Sequence, residues 1–305
     1  MGEAVSTEQL NDSPWTKLRG SNIAFDCRWL GFSGIGRATE LLLEALSLSA
    51  PPGSWSLIVR EVLDPSPWAG ARQVVIPGDP RSPLREVFRR LPRSDVLIFP
   101  QMIRPFVLRR VVQVFHDFTP IDVAETRPGR FAKRAYLVGI ATNASFILTA
   151  DPSVPARLAD FSPFRARPSS VIPWPIGPER AKLISERRLR DPDDGSLLFV
   201  GRLARHKNLE AFAEAFAASR WPGPLVLIGE PEPPVQIAIE NIAGRTSADI
   251  RLLGRVGEAE LQDAYVRARA VVLPSLFEGF GLPVQEAATA GIPVILQHRG
   301  RRDFV

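Results

Sequence analysis

The sequence predicts an α/β protein of two Rossmann-like domains, each built on a parallel sheet, the second incomplete at its C-terminal end. Three observations predict it. Short continuous apolar runs alternate with helix-like segments from Ile23 to Leu296, and strands without a polar face are covered on both sides, as in parallel sheets. The alternation breaks once, between Pro173 and Gly195. A chain of 305 residues also exceeds what one hydrophobic core usually organises.

Residues 1–20 have neither the basic start nor the apolar stretch of a secretory signal and read as a disordered lead-in. In the first domain, 21–175, candidate strands are Ile23–Asp26, Leu57–Arg60, Val74–Ile76, Val96–Phe99, Val111–Phe115 and Phe146–Thr149, with helices such as Gly36–Leu48 and Phe131–Thr142. The stretch from Pro173 to Gly195, rich in proline (Pro173, Pro175, Pro178 and Pro192) and ending in the charged run Asp191-Pro-Asp-Asp-Gly195, holds the linker, residues 176–195. In the second domain, 196–305, strands are expected at Leu197–Val200, Leu225–Ile228, Arg251–Leu253, Ala270–Leu273 and Pro293–Leu296. Helices there are expected at Asn208–Ala218, Glu258–Arg267 and Pro283–Ala290. Two such domains are expected to bind a ligand in the cleft between them, where the carboxyl ends of the strands meet.

Composition narrows the function classes. Hydrophobic residues make up 45% and charged residues 23%, as in soluble globular proteins. The best membrane-span candidate, Tyr136–Ala150, is broken by Thr142, Asn143 and Ser145 and falls short of the roughly 20 apolar residues a crossing helix needs. The single cysteine, Cys27, excludes an internal disulfide and a cysteine metal cluster and fits a reducing cytoplasm. A net charge of +5 points to anionic partners. The cations cluster at Arg85–Arg93, Arg127–Arg134 and Arg180–Arg190. The first cluster surrounds Leu84, Val87, Phe88 and Leu91, a pattern that suits either a solvated helix face or peripheral contact with an anionic membrane. Zinc-finger spacing and aromatic RNA-binding boxes are absent, so nucleic acid is not an expected partner.

The strongest chemical signal is Pro274-Ser-Leu-Phe-Glu278-Gly-Phe-Gly-Leu-Pro-Val-Gln-Glu286, directly after a predicted strand. Gly279 and Gly281 let the backbone approach a ligand closely, and Pro283 suits the first turn of a helix that Gly291 would end. Glu278 then lies in a strand-to-helix loop and Glu286 near a helix N-terminus, where N–H groups and the helix dipole favour phosphate or sugar oxygens. Paired carboxylates can accept hydroxyl hydrogen bonds from a sugar or ribose. The bland alternative is a helix capped by Glu286 beside an ordinary loop acid. A second signal is Leu197-Leu-Phe-Val-Gly-Arg202-Leu-Ala-Arg-His-Lys207-Asn. There a guanidinium and an ammonium in one loop can clamp a diphosphate, unless both are simply solvated. His116-Asp117 follows the strand Val111–Phe115, and Gly31, Gly34 and Gly36 follow Ile23–Asp26 without forming the dinucleotide fingerprint. A lone His after a strand is often structural, and Asp117 suits a turn cap.

These segments resemble the GT4 family of retaining glycosyltransferases, which have the two-domain GT-B fold. Glu278 and Glu286 match the family's Glu, seven residues, Glu signature. The resemblance places Glu278 by the donor sugar and Glu286 on the ribose hydroxyls, with Gly279, Phe280, Gly281 and Leu282 offering backbone N–H groups to sugar and phosphate. Arg202 and Lys207 match the phosphate-binding pair, and His116 matches the His beside the donor sugar. Gly34 and Gly36, with Arg37, match the Gly-Ile-Gly-Arg loop of GT4 enzymes related to bacterial mannosyltransferases of surface polysaccharide synthesis. The hinge departs from the family, since Val171-Ile-Pro-Trp-Pro175-Ile-Gly177 stands where Val-x-Pro-Asn-Gly-Val is usual, and family members continue beyond the position of Val305.

The resemblance implies transfer of a sugar from a nucleotide donor of the GDP-mannose or UDP-sugar class, with retention, to a glycan or lipid-linked acceptor. It implies no metal and no cofactor besides the donor, and a cytoplasmic location at the inner face of the plasma membrane. The shortened C-terminal end motivates a second reading, a non-catalytic remnant that binds donor or a partner. A nucleotide-sugar epimerase of similar architecture leaves the paired Glu and the Arg/Lys string unexplained. A glycoside hydrolase on Glu278 and Glu286 has no other support.

Overall fold

The computed structural model describes residues 20–31, 33–49, 55–64, 68, 70–78, 89–90, 94–102, 110–124, 126–161, 168–172, 195–278 and 281–297. The chain divides into two compact units, Met1–Trp174 and Pro175–Val305. The expected linker, 176–195, lies almost wholly outside the described residues, as do the lead-in up to Arg19 and the charged end after Gln297.

The strands of the first unit are β1 (Ile23–Asp26), β2 (Trp55–Val59), β3 (Arg72–Val75), β4 (Val96–Phe99), β5 (Arg110–Val114), β6 (Phe146–Thr149) and β7 (Ser169–Val171). They form one sheet in the order β3-β2-β1-β4-β5-β6-β7, and every pairing is parallel. Its helices are α1 (Ser33–Ser49), α2 (Thr119–Asp122), α3 (Arg127–Asn143) and α4 (Ser153–Phe161). The second unit has β8 (Leu197–Val200), β9 (Leu225–Ile228), β10 (Ile250–Gly254), β11 (Ala270–Leu273) and β12 (Val294–Leu296). These run in the order β10-β9-β8-β11-β12, also all parallel. Its helices are α5 (Leu209–Ser219), α6 (Pro233–Arg245), α7 (Glu258–Arg267) and α8 (Leu282–Thr289).

The continuous apolar runs follow from a core on each face of the second sheet. Side chains alternate across a strand. Leu197, Phe199, Leu225, Leu227, Ala270 and Val272 join Leu209, Ala213 and Phe216 of α5 and Val235, Ile239 and Ile242 of α6. Leu198, Val226, Ile228 and Val271 join Tyr265 and Val266 of α7 and Ala287 of α8. The edge strands β10 and β12 keep Leu253, Ile295 and Leu296 exposed. Among the described residues no helix is long and apolar enough to cross a membrane.

Each expected strand is present within two residues of its expected bounds. Helix α1 begins at Ser33 rather than Gly36, so Gly34 and Gly36 sit in the first turn of a helix instead of the preceding loop. The left-handed turn belongs to Gly31, at φ +76°. Gly36 has its own reason: a Cβ there would stand 2.5 Å from the Trp29 carbonyl oxygen, so only glycine lets the helix lie against that loop. Helix α6 was not among the expected helices; it opens on Pro233 and Pro234, and proline at the first helical positions loses no hydrogen bond. Strand β7, Ser169-Ser170-Val171, carries too little apolar character to show in the sequence.

Candidate functional site

In an open parallel sheet, ligands bind beyond the carboxyl ends of the strands where the order reverses direction. In the second sheet that place lies between β8 and β11, because β9 and β10 continue to one side and β12 to the other. The loops leaving β8 and β11 are the two segments that carry the strongest sequence signals.

Leaving β8, Gly201 adopts φ +144°, and at the end of β9 Gly229 adopts φ +137°. A Cβ on Gly229 would run into the carbonyl of Gly201, so glycine here permits two backbones to cross closely. The loop is strapped to its neighbour by Leu203 N–H to the Glu230 carbonyl at 3.0 Å and Glu232 N–H to the Leu203 carbonyl at 2.9 Å. It closes with a 3-10 turn, Arg205–Lys207, after which Asn208 takes a left-handed conformation, φ 56°, and starts α5. Asn tolerates that conformation better than most side chains. Lys207 is therefore held immediately before a helix start.

From there Lys207 Nζ reaches Glu278 Oε1 at 2.5 Å. Ser275 Oγ–H donates to the same oxygen at 2.7 Å. The loops are also joined through the backbone, Leu276 N–H donating to the His206 carbonyl at 2.8 Å. Asn208 Nδ2–H donates to Gln297 Oε1, just past β12, at 3.0 Å. Lys207 and Glu278 are only 16% and 13% exposed, so their attraction is screened less than that of a surface pair. Arg202 is 62% exposed and pairs with Glu232 at 3.3 Å, a carboxylate that also accepts the Arg205 N–H at 3.3 Å. The structure thus brings Lys207 to Glu278, whereas Arg202 reaches toward the β9 side.

Gly281 is left-handed, φ 74°, and precedes α8, with Leu282 its first residue and Pro283 in its first turn. Gly279 and Phe280 lie outside the described residues. Glu286, in the second turn, accepts the phenolic O–H of Tyr265 on Oε2 at 2.5 Å. Tyr265 is fully buried on α7, and a buried phenol needs such a partner. Sequence reasoning missed Tyr265, Ser275 and Glu232. For Tyr265 the available signal was that the chain has only two tyrosines and this one stands on the apolar stripe of a helix.

In the first unit the order reverses between β1 and β4. His116, just after β5, donates Nε2–H to the Pro100 carbonyl at 2.5 Å. A carbonyl only accepts, so this bond places the proton on Nε2. Burial pushes the His116 pKa below its ordinary value, opposed by the Pro100 carbonyl and by the nearby Asp117. Asp117 caps the following turn, accepting the Thr119 N–H on Oδ1 at 2.8 Å. Beside it lies a buried network that the sequence did not reveal. Arg28 binds Asp26 through Nε–Oδ1 and Nη2–Oδ2, both 2.9 Å, with the pair 1% and 0% exposed. Gln101 donates to Asp26 Oδ2 at 3.3 Å. Gln113 in turn donates to the carbonyls of Phe99, Gln101 and Val114. Gly34 is exposed, and Arg37 pairs with Glu40 at 2.9 Å.

Chemically, the second-unit site combines a mostly buried ammonium, two oriented carboxylates and a helix N-terminus, a set that suits a ligand carrying both phosphate and hydroxyl groups. Residues 194–305 match the family model described as Glycosyl transferases group 1. O-antigen chain mannosyltransferase B of Escherichia coli is 27% identical over 221 residues, covering 64% of this chain and 55% of that protein. The chain therefore spans about half the length of that curated relative. Among solved structures, sucrose-phosphate synthase from Thermosynechococcus elongatus superposes with a TM-score of 0.69 at 18% identity, covering 90% of this chain and 80% of that one. HepE of Anabaena in complex with UDP-glucose gives 0.67 at 15% identity, covering 90% and 79%. Residues 194–305, in the second unit, thus match a group 1 glycosyl transferase domain, and the chain shares the two-domain fold of these solved glycosyltransferase structures.

Proposed function

We propose that the protein transfers a hexosyl group from a nucleoside diphosphate sugar to an acceptor hydroxyl, with retention of configuration. The observation that carries the reading is the Lys207–Glu278 pair at the switch point of the second sheet. When the glycosidic bond breaks, negative charge develops on the departing diphosphate, and a cation held in a poorly screened position stabilises it. Lys207 fills that role in this reading, with Arg202 contributing from the more exposed side and no metal or cofactor assigned. Glu278 holds the ammonium in place and faces the sugar. Glu286, fixed by Tyr265 on one oxygen, accepts the ribose hydroxyls. Gly279, Phe280, Gly281 and Leu282 supply backbone contacts, while His116, Gly34 and Gly36 belong to the sugar and acceptor side. The enzyme acts by positioning and charge stabilisation.

The donor is a UDP-sugar or GDP-mannose. HepE was solved with UDP-glucose, and the Escherichia coli relative is named a mannosyltransferase, which supports keeping both bases. We assign the acceptor to the glycans or lipid-linked sugars of bacterial surface polysaccharide synthesis, and the protein to the cytoplasmic side of the membrane that carries them. Isothermal titration with UDP-glucose and GDP-mannose, run beside a transfer and donor-hydrolysis assay, tests this. Saturable binding of one donor with turnover supports it. Binding without transfer or hydrolysis replaces the enzyme by a donor-binding protein, and no binding of either donor overturns the assignment of the site.

A further inference from the structure

Helix α3, Arg127–Asn143, is anchored by its second half. Leu137, Gly139, Ile140 and Ala141 are buried, and Leu137, Ile140 and Ala141 join the core with Phe115, Phe118 and Ile147. The first half is different. From Arg127 to Tyr136 every residue except Gly129 is exposed. Phe131 is 74% exposed and Tyr136 47%. Arg127, Arg130 and Arg134 follow helical spacing along one stripe, with Lys133 on one flank and Phe131 on the other.

Arg127 and Arg130 stand in the first turn, where helix physics disfavours cations. A helix N-terminus carries partial positive charge and is stabilised by acids. The first turn of α3 has no acid, and none occurs from Arg127 to Asn143. An exposed phenylalanine beside four cations adds nothing to the fold of this unit. Together, cations and an aromatic ring on one projecting helical segment complement a surface that is anionic outside and apolar beneath.

We propose that the N-terminal half of α3 docks the protein on an anionic membrane surface. Arg127, Arg130, Lys133 and Arg134 meet the lipid phosphates, and Phe131 enters the interface. This deepens the membrane placement given above, and its test reads binding without any sugar transfer, so the two can fail separately.

The full chain is sedimented with vesicles of phosphatidylcholine alone and of phosphatidylcholine with about one-third phosphatidylglycerol. The expected result is binding to the anionic vesicles only, weakened by high salt. The double variant Arg127→Glu, Lys133→Glu places one acid in the first turn, where the helix dipole favours it, and reverses an exposed charge one turn later, so its thermal midpoint is expected to hold or rise while vesicle affinity falls at least about tenfold. Phe131→Ser is expected to lose affinity severalfold and keep the salt dependence. Equal binding to neutral vesicles overturns the proposal, as does absence of binding to anionic ones or an unchanged affinity in the double variant. Competition by a single-stranded RNA oligonucleotide that binds tighter than the vesicles, and that loses affinity in the same double variant, would reassign the surface to nucleic acid.

Discussion

Lys207 and Glu278 are the residues whose chemistry is easiest to test. If the ammonium stabilises charge on the leaving diphosphate, Lys207→Ala should lower kcat by about 100- to 1000-fold, the usual effect of removing one preorganised partner of developing charge. The fold should survive, because Glu278 keeps the Ser275 hydroxyl as a donor when the ammonium is removed, and the thermal midpoint of the variant checks this. Wild-type turnover in that variant would remove Lys207 from the mechanism. Glu286→Ala should act on binding instead, weakening donor Kd about tenfold or more, as expected for lost hydrogen bonds to a charged acceptor. His116 gives a pH prediction. Its folded pKa lies below the ordinary value of 6.5, so the unfolded chain binds the proton first as pH falls. The neutral imidazole costs nothing above that value. Stability should fall as pH drops from about 6.5 toward the lowered folded pKa and level off below it. Comparison of thermal midpoints against pH for the wild type and His116→Gln checks this, since the variant should lose that part of the slope.

Elements were legible where local pattern and burial agree. The strands β1, β4, β6, β8, β9 and β11 read correctly to the residue because both of their faces are covered and no polar position falls before their last residue. Helix α6 did not, since three prolines at its entrance carry the same local signal as a loop and only the tertiary stripe of Val235, Ile239 and Ile242 separates the two readings. The crossing of Gly201 and Gly229 is an element-scale feature that no spacing announces, because the collision partner lies in the next strand's loop. Gly229→Ala combines a rarely allowed φ with a backbone clash and should cost at least about 2 kcal/mol. Urea unfolding measures it, and an unchanged midpoint would show that the two loops can separate without loss.

At the scale of the whole molecule, the two sheets share a plan, each reversing strand order at its first strand. The alternation of apolar runs was enough to predict two parallel α/β units. The motif residues of the second unit could be named from sequence because they occupy contiguous strings. Their partners could not, since Tyr265 and Ser275 meet Glu286 and Glu278 only through folding. The buried network of the first unit was illegible for the same reason, Gln101 standing 75 residues from Asp26. Both cores of the second unit are drawn from that unit alone, as are Arg202, Lys207, Glu278 and Glu286. A fragment of residues 175–305 is therefore expected to unfold cooperatively and to bind UDP or GDP within about tenfold of the full chain. Circular dichroism and titration of the fragment would show this, and loss of nucleotide binding in a folded fragment would place essential contacts in the first unit.

The Asp26–Arg28 pair carries a consequence for how this chain can diverge. Each partner is sealed from water, so a change at one strands the other's charge, a loss of about 3–5 kcal/mol. Replacement of both by apolar residues of matching volume avoids the stranded charge, at the smaller cost of the hydrogen bond that Gln101 donates to Asp26. Evolution can cross from the ionic to the apolar solution only by passing through a poorly folded intermediate, so the two positions should drift together or not at all.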